Sequence, residues 1–336
     1  PVGTWLMYHG TRGLWLALVL MTLVGMTDIL DGWLARRYGP TVLGGLMDPI
    51  VDKIFIVATV LPFVDLHWMP AWAIGLLLLR EFLVTGLRSA YERRGLKLAT
   101  TLLAKIKTWV QMAGAGVICI AMLSERSVTI ALMSVGAGLP LVLAAVIYLW
   151  RRTLWRGAFI FSGCFAVVLV AIILRDAQFG CNFLIMGMLA VTWISGWGYL
   201  SQWRRLLSVR PLDVSDFVRV ATAALPLALL VAAPPSVPTS LMLNVIIALE
   251  MAAGGLDNLL CHHQAQSSAL GWGLRVGLTT ALVTAGITLG PALASHGLTP
   301  EELVGAALGV SAIGTVAEFI RGRSYYLEDR FVERRL

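Results

Sequence analysis

The chain has 336 residues, of which 58% are hydrophobic and only 13% charged, with a formal net charge of +7, and its mean hydropathy is +0.81. A soluble domain carries about 25% charged residues, so this composition excludes a water-soluble enzyme or a solvated binding module. Cys119, Cys164, Cys181 and Cys261 lie far apart in apolar stretches, which excludes a disulfide framework and a CxxC metal site.

Apolar runs predict an all-α, polytopic transmembrane helix bundle. In chain order, residues 1–12 read as an outer loop. Spans follow at 13–33, 49–66, 70–92, 104–123, 128–150, 157–174, 182–203, 215–233, 240–262, 270–293 and 302–321. Several reach the roughly 20 residues that cross a bilayer. The connections alternate in basic content: Arg36, Arg37, Arg93, Arg94, Arg151 and Arg152 fall on one side, and little beyond Arg12, Arg126 and Arg175 on the other. The positive-inside rule makes the first side cytoplasmic. The positive charge is therefore a topology signal, compatible with attraction to anionic lipid. Nucleic acid is not an expected partner, because the basic residues sit at helix ends and not on one soluble face.

The first two spans carry a constellation of carboxylates. Asp28 and Asp31 are three residues apart and Asp48 and Asp52 four apart, spacings that put each pair on one helix face. Between them, 37–47 contains Gly39, Pro40, Gly44 and Gly45 and reads as a turn. Four carboxylates at the cytoplasmic boundary repel one another and are costly near lipid. Hard oxygen ligands of this kind select Mg²⁺ or Mn²⁺, and two ions can hold a diphosphate. One carboxylate can then serve as a base for an incoming hydroxyl. Gly32 and Ala35 share the stripe of Asp28 and let a ligand approach the backbone. Arg36 offers a bidentate fork to phosphate. For Asp48 taken alone, a solvated helix cap is an equal alternative.

Asp28, Asp31, Gly32, Ala35, Arg36, Gly44, Asp48 and Asp52 match D-x-x-D-G-x-x-A-R, then G-x-x-x-D-x-x-x-D. This pattern resembles the signature of the CDP-alcohol phosphatidyltransferases. The resemblance implies that Asp28, Asp31 and Asp48 bind metal and the CDP diphosphate. It implies that Asp52 completes the metal set and acts as the catalytic base, and that Asp31, Gly32, Ala35, Arg36 and Gly44 line the CDP site. The product would be a phosphodiester lipid plus CMP.

Downstream stand Arg80-Glu81, Gly86-Leu87-Arg88 and Lys105-Ile106-Lys107-Thr108. A buried Arg80 needs a partner: either Glu81, another carboxylate or a carbonyl, or else a phosphate on the acceptor. Arg80, Arg88, Lys105 and Lys107 are therefore the candidate acceptor-phosphate residues. This block resembles the phosphatidylglycerophosphate synthases of that family, which implies CDP-diacylglycerol as donor and sn-glycerol 3-phosphate as acceptor. Inositol phosphate, serine and phosphatidylglycerol are alternative acceptors. Non-enzymatic readings are a transporter, which would want broken helices near the midplane, and a scaffold.

Three regions are expected. Residues 1–153 form a catalytic transmembrane domain whose family-typical first helix is missing, and 154–211 add further transmembrane helices. Residues 212–336 form a degenerate second copy. The family's last helix corresponds either to 189–200 or to 128–150. In the second copy, Asp216 to Arg219 resembles the missing first helix, and Leu256-Asp257-Asn258 aligns with Leu30-Asp31-Gly32. In that register Gly254, Leu274 and Leu278 replace Asp28, Asp48 and Asp52, so the copy is expected not to catalyse transfer. The family resemblance implies a homodimer; an intrachain pseudo-dimer, with the second half as a built-in partner, is the alternative. A bacterial inner membrane, with the site on its cytoplasmic side, is the expected location.

Overall fold

The computed structural model describes residues 2–39, 42–96, 102–202, 207–209, 211, 213–224, 237–263, 269–289, 292 and 297–326. Among the described residues the secondary structure is helical. Helix α1 (Val2–Met7) is followed by α2 (Gly10–Tyr38), α3 (Val42–Val60), α4 (Pro62–Asp65), α5 (Ala71–Glu92), α6 (Leu102–Leu123) and α7 (Arg126–Arg151). Then come α8 (Arg156–Leu174), α9 (Ala177–Ser201), α10 (Val214–Ala221), α11 (Val237–His262), α12 (Ala269–Thr288), α13 (Pro300–Arg321) and α14 (Arg323–Tyr326).

Seven helices among the described residues are long and apolar enough to cross a membrane: parts or all of α2, α6, α7, α8, α9, α11 and α13. The polytopic helical class is the one that hydropathy predicts, because in lipid a helix satisfies its own backbone groups, but of the expected spans 49–66, 70–92, 215–233 and 270–293 are not among these seven. Two expectations are corrected. Residues 1–12 are not an outer loop: α1 and the start of α2 occupy them. The turn expected at 37–47 is far shorter, because α2 runs through Tyr38 and α3 resumes at Val42, taking Gly44 and Gly45 into its first turn. Gly39, at φ +90°, ends α2 in the left-handed conformation that glycine adopts without penalty. Glycine weakens a helix by only about 1 kcal/mol, too little to keep 44–47 unwound.

The core lies where α3, α5, α6, α9 and α11 meet, with Val57, Leu77, Val117, Ile185 and Ile246 fully buried. Helix α7 instead presents Leu139, Val142 and Leu149 outward, as a lipid-facing helix does. The four cysteines are free and buried.

The C-terminal helices are not a separate body. α11 packs against both α3 and α5, and α10 with its following 3₁₀ turn packs on α5. Small residues permit these approaches. Gly255 meets Ile50 of α3, and a Cβ at Gly86 would lie 2.7 Å from the Arg219 carbonyl oxygen. Gly86→Ala is therefore expected to destabilise by about 1–3 kcal/mol through overpacking, read as a lowered melting temperature in detergent.

Ion pairs tie the same surfaces at the α5 C-terminus. Arg93 reaches Asp213 at 2.9 Å and Asp216 at 2.9 Å, and Arg94 reaches Asp216 at 2.6 Å. The hydrogen bonds that Arg93 donates to Asp213, together with the nearby carboxylate charges, raise the Arg93 pKa above its ordinary value. Asp213 and Asp216 also form the capping box of α10, so one pair of carboxylates starts a helix and anchors it.

Candidate active site

Asp28, Asp31, Gly32, Ala35 and Arg36 lie in the C-terminal part of α2, and Gly44, Asp48 and Asp52 in the N-terminal part of α3. The two helices are joined only by 39–41, so the two halves of the motif are consecutive in the fold. The side chains of Asp28, Asp31, Gly32, Ala35, Arg36, Gly44 and Asp48 lie outside the described residues. Asp52 is described, and its side chain is exposed. Its neighbour Lys53 turns inward and donates from Nζ to Thr85 Oγ1 on α5, while Thr85 donates to the Glu81 carbonyl at 2.7 Å. Lys53 thus links α3 to α5 one residue from Asp52.

On α5, Arg80 and Glu81 are both 4% exposed. Arg80 Nη1 donates to Glu81 Oε1 at 3.1 Å and its Nη2 to Ser195 Oγ of α9 at 2.9 Å. Lys107 Nζ of α6 donates to the same Glu81 oxygen at 2.7 Å. Glu81 therefore compensates two cations from two helices. Of the two classes of partner considered for Arg80, the structure presents Glu81, together with Ser195. Arg88, two turns on, donates to Tyr199 Oη at 3.2 Å. The Lys105 side chain lies outside the described residues.

The structure brings Arg80, Lys107 and Glu81 into one cluster and sets Arg88 with Tyr199 on the same α5–α9 seam. Ser195, Tyr199 and Lys53 are the members that spacing did not single out. Ser195 and Tyr199 lie in the 189–200 stretch considered as the final family helix, and α9 packs against α5 and α6, whereas α7 packs chiefly on α8. A helix beyond residue 153 therefore builds on the first region. The visible signal was polar residues four apart in an otherwise apolar helix, a pattern that faces a partner and not lipid.

The C-terminal half holds a different arrangement. Asp257, aligned with Asp31, is buried and receives Arg219 through Nε at 2.7 Å and Nη2 at 3.0 Å. This bidentate fork occupies the carboxylate. Leu274 and Leu278, aligned with Asp48 and Asp52, are exposed. Glu250, also buried, accepts from Arg275 at 2.9 Å and from Ser311 at 2.7 Å. His263 stacks on Tyr325 with ring centroids 4.8 Å apart. Among the described residues no three His, Cys, Asp or Glu side chains gather as a metal site.

Comparison with known proteins places these features. The family model described as CDP-alcohol phosphatidyltransferase matches residues 1–142. The CDP-diacylglycerol–glycerol-3-phosphate 3-phosphatidyltransferase of Bacillus subtilis is 37% identical over 95 residues, 28% of this chain and 49% of the relative. The protein of the same name from Blochmanniella floridana is 32% identical over 139 residues, 40% of this chain and 72% of the relative. A probable phosphatidylglycerophosphate synthase of Mycobacterium tuberculosis is 35% identical over 127 residues, 38% of this chain and 60% of the relative. The chain spans about half the length of the Bacillus relative. No solved structure matches.

Proposed function

Because the chain belongs to the CDP-alcohol phosphatidyltransferase family, we propose that it transfers a phosphatidyl group from CDP-diacylglycerol to sn-glycerol 3-phosphate, releasing CMP and giving phosphatidylglycerophosphate. The observation that carries this reading is the complete carboxylate signature, carried on two consecutive helices, α2 and α3, with a link of only 39–41.

The donor set fits a divalent cation: Asp28, Asp31, Asp48 and Asp52 supply only hard oxygen ligands, the chemistry that suits Mg²⁺ or Mn²⁺. These four would hold two ions, which when bound neutralise the diphosphate charge. Gly32, Ala35 and Gly44 would leave room for the cytidine diphosphate at the helix backbone, and Arg36 would hold a phosphate oxygen. Asp52 would take the proton from the acceptor hydroxyl. That oxygen forms the new bond to the phosphorus bearing diacylglycerol, as the bond from this phosphorus to the CMP oxygen breaks, and CMP leaves with the electron pair.

The acceptor's own phosphate requires cations. Arg88, Lys105 and Lys107 would meet it on the α5–α6 side, with Arg80 held behind them by Glu81 and Ser195. In this reading the site faces the cytoplasm from a bacterial inner membrane, and the basic helix ends support that orientation. Residues 212–336 act in this reading as a non-catalytic second copy. The support is the Arg219 fork on Asp257 and the packing of α11 on α3 and α5. The chain is then an intrachain pseudo-dimer, and a mass measurement of the purified protein finds one chain per particle. A symmetric homodimer formed through 50–125 would refute it.

The test is CMP release by purified protein with CDP-diacylglycerol, Mg²⁺ or Mn²⁺, and a panel of acceptors. Release is expected with glycerol 3-phosphate. Release only with inositol phosphate, serine or phosphatidylglycerol would keep the chemistry and replace the substrate; none with any acceptor would sink the enzyme reading.

A further inference from the structure

A cavity of about 810 Å³ lies at the opposite end of the bundle from the aspartate motif. From Asp48 to Val60, α3 rises roughly 18 Å, and the cavity begins beyond it, at Leu61. Its wall comes from the α3–α5 connection and the first turns of α5, α9 and α11. The volume lies within the roughly 300–1,000 Å³ of small-molecule sites.

Its chemistry is selective. Among the described residues Asp65 is the one carboxylate in the lining, neither Lys nor Arg contributes, and His67 adds an imidazole. Tyr8 Oη donates to Asp65 Oδ2 at 2.6 Å, and burial, then Asp65 itself, raises the Tyr8 pKa, so the phenol keeps its proton. Trp68 and Trp72 line the same space. Trp68 is 7% exposed and packs on Phe63, so it is not an anchor facing the lipid interface, while Trp72 is half exposed. The loop bearing them is held in an unusual conformation: His67 has φ +57°, and the next two amides both donate to the Phe63 carbonyl, at 2.9 and 3.1 Å. Non-glycine residues in the left-handed region are uncommon and cluster at sites such as ligand clamps. Gln178 and Asn182, hydrogen-bonded to each other at 3.1 Å, add neutral polar groups to the wall.

A single carboxylate beside tryptophan rings, with neither Lys nor Arg among the described lining residues and His67 as the one imidazole, complements a cation that carries apolar substituents. An anion would meet Asp65 unopposed, and a neutral apolar ligand would leave its charge without a counter-ion. We propose that this cavity binds an organic ammonium group, with Asp65 as the counter-ion and Trp68 and Trp72 as the aromatic wall. The ammonium belongs either to a free amine or to the headgroup of a zwitterionic lipid. The site stands apart from the proposed transferase site and does not depend on it.

Calorimetric titration of the full chain in detergent with choline and with ethanolamine, against sodium chloride at equal ionic strength, tests the free amine. Native mass spectrometry of protein released from nanodiscs of phosphatidylethanolamine or of phosphatidylglycerol tests the headgroup. Saturable binding of either amine, or selective retention of phosphatidylethanolamine, is expected and distinguishes the two sources. Asp65→Asn, which keeps an oxygen acceptor for Tyr8, should weaken the interaction about tenfold or more, and Trp72→Ala about threefold to tenfold. Trp72→Ala removes a half-exposed ring, so it reports on the site even where Asp65→Asn fails to fold. Binding no better than the salt control together with equal retention of both lipids would overturn the proposal, as would unchanged affinity in the variants that fold.

Discussion

Asp52→Asn, in protein that keeps the wild-type melting temperature, is expected to lower kcat for CMP release by about 10²–10⁴-fold, the usual contribution of a positioned general base. Asparagine matches aspartate in size and keeps one oxygen, but it cannot take a proton. Asp52 is exposed at its helix surface, so the substitution should not disturb packing. The next residue, Lys53, reaches Thr85 and ties this part of α3 to α5, a contact that the variant leaves in place. The loss should therefore fall on kcat, with little change in the KM for glycerol 3-phosphate. Single-turnover measurement of CMP release separates the two quantities. A folded Asp52→Asn enzyme with near wild-type kcat would remove Asp52 from the base role, and a rise confined to KM would make it a binding residue instead.

Hydropathy made the long helices legible, because a membrane span must be apolar over most of its length, and α6, α7 and α8 fall close to the expected boundaries. The α2–α3 junction was less legible. Gly44 and Gly45 suggested a loop, yet helical hydrogen bonding carries α3 through them. The carboxylate motif was readable because its spacing is local, with each pair set by the period of one helix. The partners of Arg80 and Arg219 were not readable with the same ease. Ser195 lies 115 residues from Arg80, and Asp257 lies 38 residues from Arg219, and no local period connects such positions. The insertion of α11 against α3 and α5 rests on Gly254 and Gly255, which meet Thr85 and Ile50. In the sequence these glycines look like one more small pair in an apolar helix.

Glu81→Gln is expected to destabilise the protein by about 3–5 kcal/mol, the cost of breaking a buried ion pair from one side. Glu81 is the common acceptor for Arg80 of its own helix and Lys107 of α6, at 3.1 and 2.7 Å, with Glu81 and Arg80 almost completely buried. Glutamine retains a carbonyl oxygen but no charge, and its amide places two donors against two cationic donors. Arg80 would keep Ser195 at 2.9 Å, whereas Lys107 would lose the short ion pair that joins α6 to α5. Thermal unfolding in detergent should show the fall in melting temperature. Lys107→Met in the Glu81→Gln background should recover part of it, since one uncompensated cation is then gone. A double-mutant cycle measures that coupling directly. Additive losses would mean that Lys107 is compensated elsewhere, and a Glu81→Gln variant as stable as the wild type would show that the cluster is hydrated and serves the acceptor more than the fold.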